Sequence, residues 1–483
     1  MKLHLLFLYL FFSSSISFSQ NWSQPVNIYS GGNNYEPDFA IDQSGVFHCV
    51  WTHKLGVNYR KIYYSKSTDS GMTWSQAQDL SLNSTLWMDN PHIISDTNNV
   101  LYVSYDYNTG NTNETLVVLK KFINNMWSNF EIISADMPGS MHSRLVVDNN
   151  NKLYCFWYNG ILGGKIFYRT FSDGIWDEIR QPYSGNKDMI GLSRVVVDRH
   201  NNLHCAGVHH YEGQSGYDDR AIYFSFSNGN WNTFKQLSDD TTWEGIDIAL
   251  DTLSQPSITW GQYSSDSIPP PHGTYVSSRT DGENWSIPIL LADKQTEEQA
   301  IGIDYFNQKY IFDNEKTGMT FQQVCHIQTR NGWVSEVVKQ DNYGFFNHKI
   351  LKNGNKMCVI YLKVDTVIGS SAFSTVQFIE HQIALGFGDS QTNISDISIY
   401  PNPLTTESII SFRLEMRLDI TLSIYSINGI LKKTLLSGSN TSGNYSILWD
   451  GRDNKGKDVK SGLYLIQFQV GKNRIISPLI VIH

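Results

Sequence analysis

Three shortages bound this chain of 483 residues. Charge is scarce: Asp, Glu, Lys and Arg make up only 17%, and acids outnumber bases for a formal net charge of −9. A general nucleic-acid binder carries a basic patch and a high pI, and this composition supplies neither. A pocket on an acidic protein can still be locally cationic, so an anionic substrate stays open. Cysteine is scarce too: Cys49, Cys155, Cys205, Cys325 and Cys358, with no Cys-x-x-Cys pair among them. An odd count in an exported chain leaves at least one thiol free, or paired between chains. Long apolar runs are confined to the start. Lys2, the apolar run Leu3 to Phe12 and the small residues Ser13 to Ser19 read as an export signal over 1–19, too short to span a bilayer. The mature protein is expected to be soluble and exported.

Aromatic residues are abundant, at 13%, with 26 Tyr, 24 Phe and 13 Trp. That is ample material for a packed core, punctuated throughout by Gly and Pro. It suits an all-β protein with many turns, and the length suits a large repeat domain plus a small one.

Tryptophan exposes the repeat. Trp22, Trp74, Trp127, Trp176, Trp231, Trp285 and Trp333 stand 52, 53, 49, 55, 54 and 48 residues apart, each followed by a short strand-like run. Ahead of most lies an apolar strand, an Asp turn and a second apolar strand, with the turns at Asp42, Asp96, Asp148 and Asp198. Such turns between alternating runs signal hairpins. A third strand then leads into the Trp strand. Four antiparallel strands per period describe a propeller blade. The Trp22 strand has no earlier partners, and the last unit lacks a Trp strand. The first strand is therefore expected to complete the last blade, closing a seven-bladed β-propeller. An open solenoid or tandem sandwiches is the alternative.

The turn Ser67-Thr68-Asp69-Ser70-Gly71-Met72-Thr73-Trp74 matches the Asp-box pattern, with partial copies at Ser172 to Trp176 and Thr280 to Trp285. On these residues the region 20–385 resembles the sialidase-like propeller superfamily. The motif speaks to fold: Asp caps a tight hairpin, Gly takes a positive φ, and Trp packs between blades. Cys49, Cys155, Cys205 and Cys358 fall on second strands in similar register. Sheets packed roughly 10 Å apart cannot bring such positions within the roughly 7 Å a disulfide needs. Small buried thiols are expected, with a zinc site at Cys205 and a nearby His as the alternative. No cofactor is expected to be required; a structural zinc or calcium lacks a strong motif.

After a Gly/Ser/Asn-rich linker (386–395) the text changes. Ile399-Tyr400-Pro401-Asn402-Pro403, Ser423 to Gly429, Trp449-Asp450-Gly451 and Ser461 to Tyr464 together resemble the C-terminal sorting domain of the type IX secretion system. The resemblance covers 396–483. It implies a small β-sandwich that engages the outer-membrane secretion machinery and places the protein at the cell surface or outside the cell. A carbohydrate-binding sandwich is the alternative.

Propeller sites lie at the mouth of the central channel, on first-strand starts and second-strand ends. The densest polar group there comes from blades 3 and 4: His142, Arg144, Tyr158, Arg194, His209, His210, Tyr211 and Arg220, with His92 from blade 2. These are bases, phenols and cations with few carboxylates. A glycosidase normally needs two carboxyls at set distances, and the Arg-Ile-Pro motif of true sialidases is absent. β-Elimination from a uronate needs the carboxylate neutralised, a base for the C5 proton and an acid for the leaving oxygen. The set also looks like seven-bladed ulvan lyases. That resemblance implies catalytic roles for His142, Tyr211 and Arg220. Tyr211 is expected to act as base and acid, Arg220 to neutralise the carboxylate, and His142 with His209 or His210 to assist, while Arg144, Tyr158, Arg194 and His92 are expected to bind substrate. The expectation is a monomeric lyase of an anionic, sulfated algal polysaccharide, ulvan first. A hydrolase using Asp218 or Asp219 with Glu244, and a non-catalytic glycan binder, are the alternatives.

Overall fold

The structure is a computed structural model. It describes residues 22–482 apart from 57–58, 82–85, 111–113, 183–188, 214–215, 239–241, 243–244, 263–272, 295, 330–331, 370, 384–393, 415, 427–429 and 471–472. The expected export signal, most of the expected linker and Glu244 lie outside the described residues. The chain divides into two compact units at Gln382/Ile383.

The first unit holds seven antiparallel sheets of four or five strands. Their innermost strands are Asn33–Ile41, Met88–Ser95, Ser140–Val147, Met189–Val197, Asp247–Leu250, Thr296–Ile303 and Phe345–Asn353, and define blades 1 to 7. Blade 7 is completed from the other end of the chain. Val26–Tyr29 pairs with Ser371–Gln382, and Trp22 bridges to His381. A seven-bladed β-propeller therefore closes on its own first strand, which also protects that edge.

Each blade is built on one hairpin. In blades 1 to 6 the first and second strands are joined by an Asp turn whose carboxylate accepts two backbone N–H groups. Asp148 Oδ1, for example, accepts from Asn150 and Lys152 at 2.9 Å each. Asp251 and Asp304 do the same in blades 5 and 6, extending the series seen in the sequence. The turns also lock to one another: Asn99, Asn151, Asn201 and Asn307 each accept a backbone N–H from the preceding blade's turn. Each of these Asn residues has a positive φ, which Asn tolerates.

The outer Trp residues pack against the preceding blade. Trp74 meets Phe378, Trp127 meets Tyr64, Trp231 meets Phe156, and Trp285 meets Tyr223. In the Asp box, Asp69 accepts from Ser67 and from Thr73, and these bonds hold its carboxyl down to about 2. Gly71 has φ 89° and lies so near the Phe378 ring that a Cβ would come within 2.3 Å of it. The glycine is thus required twice, by backbone and by contact. All five cysteines are free and buried. His204, beside Cys205, bonds Tyr223 and Asp198 instead, so the zinc alternative at Cys205 finds no ligand set among the described residues.

The second unit is a β-sandwich of a three-stranded and a four-stranded sheet around Phe412, Trp449, Tyr464, Ile466 and Phe468. Asn402 ties its Pro-Asn-Pro segment to the last strand, accepting from Ile480 N–H and donating to Pro478 C=O.

Candidate functional site at the channel mouth

The inner strands share an irregularity at the end away from the Asp turns. In blades 1, 2, 3, 4, 6 and 7 the pairing of first and second strands slips there, as a β-bulge slips it. Glu36, Asn90, His142, Glu298 and Asn347 sit at these bulges with φ between 49° and 55°. Strain of this kind persists only where neighbours enforce it, and here the bulges of blades 6, 7 and 1 are each latched to the next blade. The Glu298 carboxylate accepts from Asn347 N–H, Asn347 Oδ1 accepts from Glu36 N–H, and Glu36 Oε2 accepts from Asn90 N–H.

Two residues beyond the bulge the strands present a ring around the axis: Asp38, His92, Arg144, Arg194, Asp247, Ala300 and Lys349, one per blade. Their partners on the second strands are in equivalent register. Ring members also latch blades. Asp38 accepts from Ile93 N–H and Asp247 from Ile301 N–H, both at 2.9 Å.

Above this ring lies a cavity of about 620 Å³, lined from all seven blades. Of the residues expected from sequence, His92, His142, Arg144, Tyr158 and His210 line it. Three do not gather there. Arg194 is committed to Asp247, its Nη1 donating to both carboxylate oxygens at 2.9 and 3.0 Å, a latch between blades 4 and 5. His209 is buried, 1% exposed, with its ring 4.8 Å from Phe234. The reason is strand alternation: adjacent residues face opposite ways, so His209 and His210 cannot both face the cavity. Arg220 pairs in register with His209 and is likewise absent from the lining. Tyr211 follows on the same strand, but its side chain lies outside the described residues.

Sequence reasoning passed over Glu36, Asp38, Asp247, Glu298 and Lys349, and weighed Asp219 only for hydrolysis. Asp219 pairs in register with His210, and its Oδ1 lies 2.5 Å from His210 Nδ1. An ionised carboxylate can only accept, so it fixes the proton on Nδ1 and leaves Nε2 with the lone pair. His142 is exposed to the cavity yet walled by the blades. That enclosure, with Arg144 nearby, holds its pKa down to about 4, so the ring is neutral at pH 7. His92 is held at about 4 for the same reasons. Glu36 moves the other way. Burial first, then Asp89 and Asp106, push it up to about 8. Asp106 is pushed up to about 7, mainly by burial. A second titratable cluster, Asp313, Glu315 and His326, is buried within blade 6, away from this lining.

No curated protein matches the chain. Among solved structures it is similar to an ulvan lyase, a polysaccharide lyase solved both alone and with a saccharide bound. That enzyme is 10% identical with a TM-score of 0.53, over 73% of this chain and 95% of that one. A protein of unknown function from Dyadobacter fermentans is also similar, at 10% identity and a TM-score of 0.48, over 75% of this chain and 100% of that one. Similarity at this level speaks to the fold alone. The second unit is more specific. Residues 398–482 match the family model described as the secretion system C-terminal sorting domain, so the chain carries a type IX sorting domain, addresses that machinery, and is exported to the cell surface or beyond.

Proposed function

We propose that the axial cavity binds an anionic polysaccharide and cleaves it by β-elimination next to a uronate. The observation that carries this reading is the His210–Asp219 pair, which lines a cavity shared with Arg144, Tyr158 and neutral His142. His210 Nε2 takes the C5 proton, and a cation on the adjacent carboxylate stabilises the charge that develops. The C4–O bond breaks, and the Tyr158 hydroxyl gives its proton to the leaving oxygen. The products are a 4,5-unsaturated uronate and a chain with a free hydroxyl. The base is thus His210, one residue before the Tyr211 expected from sequence. The ulvan lyase likeness in fold makes ulvan the first substrate to test.

One observation favours a second reading. Glu36, held near 8, is a protonated carboxyl at neutral pH that lines the same cavity as Asp219, as hydrolysis of a glycoside would require. The experiment separates the two. The purified chain is incubated with ulvan and other uronate polymers, and ultraviolet absorbance of the unsaturated uronate is followed beside reducing ends. Elimination raises both. Reducing ends without absorbance replace the lyase by a hydrolase. Binding with neither product leaves a glycan-binding propeller.

A further inference from the structure

The axial ring carries three cations, Arg144, Arg194 and Lys349, against two carboxylates, Asp38 and Asp247. Their commitments differ. Arg194 and Asp247 neutralise each other. Asp38 accepts from the Ile93 N–H and stands 3.7 Å from His92 Nε2. Arg144 lines the cavity and donates through Nε to Ser193 C=O and through Nη1 to Ser143 C=O, which leaves Nη2 without a hydrogen bond among the described residues; the nearest opposing charges are Asp38, Glu36 and Asp106. Lys349 has no hydrogen bond and no ion pair among the described residues, although it lines the cavity floor beneath seven blades. Enclosure by the blades lowers its pKa from the ordinary lysine value; the nearby charges of Asp38 and Asp247 oppose that shift, and those of Arg144 and Arg194 add to it.

An enclosed ammonium without a partner is costly. Nothing in the propeller's construction requires one here. The corresponding position in blade 6 is Ala300, and that blade closes as well as the others. A cost of this kind, held at a functional cavity, is what a ligand of opposite charge relieves.

We propose that Lys349 and the free Nη2 edge of Arg144 form an oxyanion site on the propeller axis, which takes the carboxylate or sulfate group of a saccharide. This rests on the reading of the cavity as a saccharide site and deepens it: the group gripped at the floor fixes which sugar stands beside His210. It also supplies, from blades 3 and 7, the cation that sequence reasoning sought at Arg220.

The test is direct binding to the full chain by isothermal titration at constant ionic strength, with sodium glucuronate, sodium sulfate and glucose as probes. At least one oxyanion is expected to bind, and glucose to give no signal. Glucuronate alone assigns a carboxylate site, and sulfate alone a sulfate site. Lys349→Met is expected to weaken binding about tenfold or more, the worth of one charge-assisted hydrogen bond. The same variant is expected to melt no lower than the parent without ligand, because a methionine there removes an unpaired charge. Asp148→Ala, in a turn at the other end of the inner strands, is expected to leave oxyanion affinity within about twofold. The site is overturned if neither oxyanion binds, or if Lys349→Met binds as tightly as the parent. Product formation without oxyanion binding overturns this site and leaves the cleavage reading standing. Oxyanion binding without any product supports the site and removes the cleavage reading.

Discussion

The inner strands of the propeller have two ends, and they obey opposite rules. At one end, six blades repeat the same device: an Asp carboxylate accepting two backbone N–H groups in a tight turn. At the other end the axial positions read Asp, His, Arg, Arg, Asp, Ala and Lys, with no blade copying its whole neighbourhood from the next. Both ends latch blade to blade, so both contribute to closure. The repeated end is free to repeat because any blade can use the same turn. The variable end surrounds one cavity, and a cavity that must orient one ligand cannot have sevenfold symmetry. Repetition marks scaffold and its breakdown marks the site.

The largest expected effect sharpens this contrast at the variable end. His210→Ala removes the proposed base and is expected to cut the elimination rate roughly 10²–10⁴-fold, the usual worth of general base catalysis. The melting temperature should stay within a few degrees, because His210 is half-buried on the cavity wall and not in the core. Steady-state rates on ulvan beside a thermal melt check it. An unchanged rate in a folded variant would remove His210 from the reaction.

The repeated end was readable from sequence, and the variable end only in part. Seven Trp residues and the Asp turns give blade number, strand order and closure, because identical local chemistry recurs at a fixed period. The ring was obscured by the bulges. A slip in six of the inner strands inverts the in-and-out alternation, so the parity of the strand cannot tell which residue faces the axis. In blade 7 parity alone does not distinguish His348 from Lys349, and Lys349 is the ring member. A usable rule exists all the same: the ring residue stands four positions before the turn Asp, as in Asp38 and Asp42, Arg144 and Asp148, or Asp247 and Asp251. Lys349 stands four before Asn353, where blade 7 replaces the Asp turn by a two-residue one. The His210–Asp219 pair required the strand register, since nine residues and a hairpin separate the partners.

A smaller effect is expected at the repeated end, and it should fall on stability alone. Asp148→Ala strands the N–H groups of Asn150 and Lys152 and is expected to cost about 1–3 kcal/mol. Activity per folded molecule should match the parent. Urea unfolding with parallel rate measurements checks both parts. A loss of activity in the folded fraction would mean that the turn end communicates with the cavity, and the division between the two ends would fail.

The smallest effect tests a residue that belongs to both categories. Glu36 is a bulge latch, accepting from Asn90, and it also lines the cavity. Its pKa rises from an ordinary 4.5 to about 8, through burial and then Asp89 and Asp106. Between those values the folded chain keeps a proton that the unfolded chain has released. Stability therefore falls as pH rises from about 4.5 to about 8, and the loss is complete above that. Glutamine keeps the carbonyl acceptor for Asn90 and cannot ionise. Glu36→Gln should melt with the parent at pH 4 and roughly 2–4 °C above it at pH 8. Some slope should remain, because Asp106, pushed up to about 7, titrates in the same window. Parallel melting curves from pH 4 to 8 would show that Glu36 is ionised in the folded chain, and the hydrolytic reading would lose its acid.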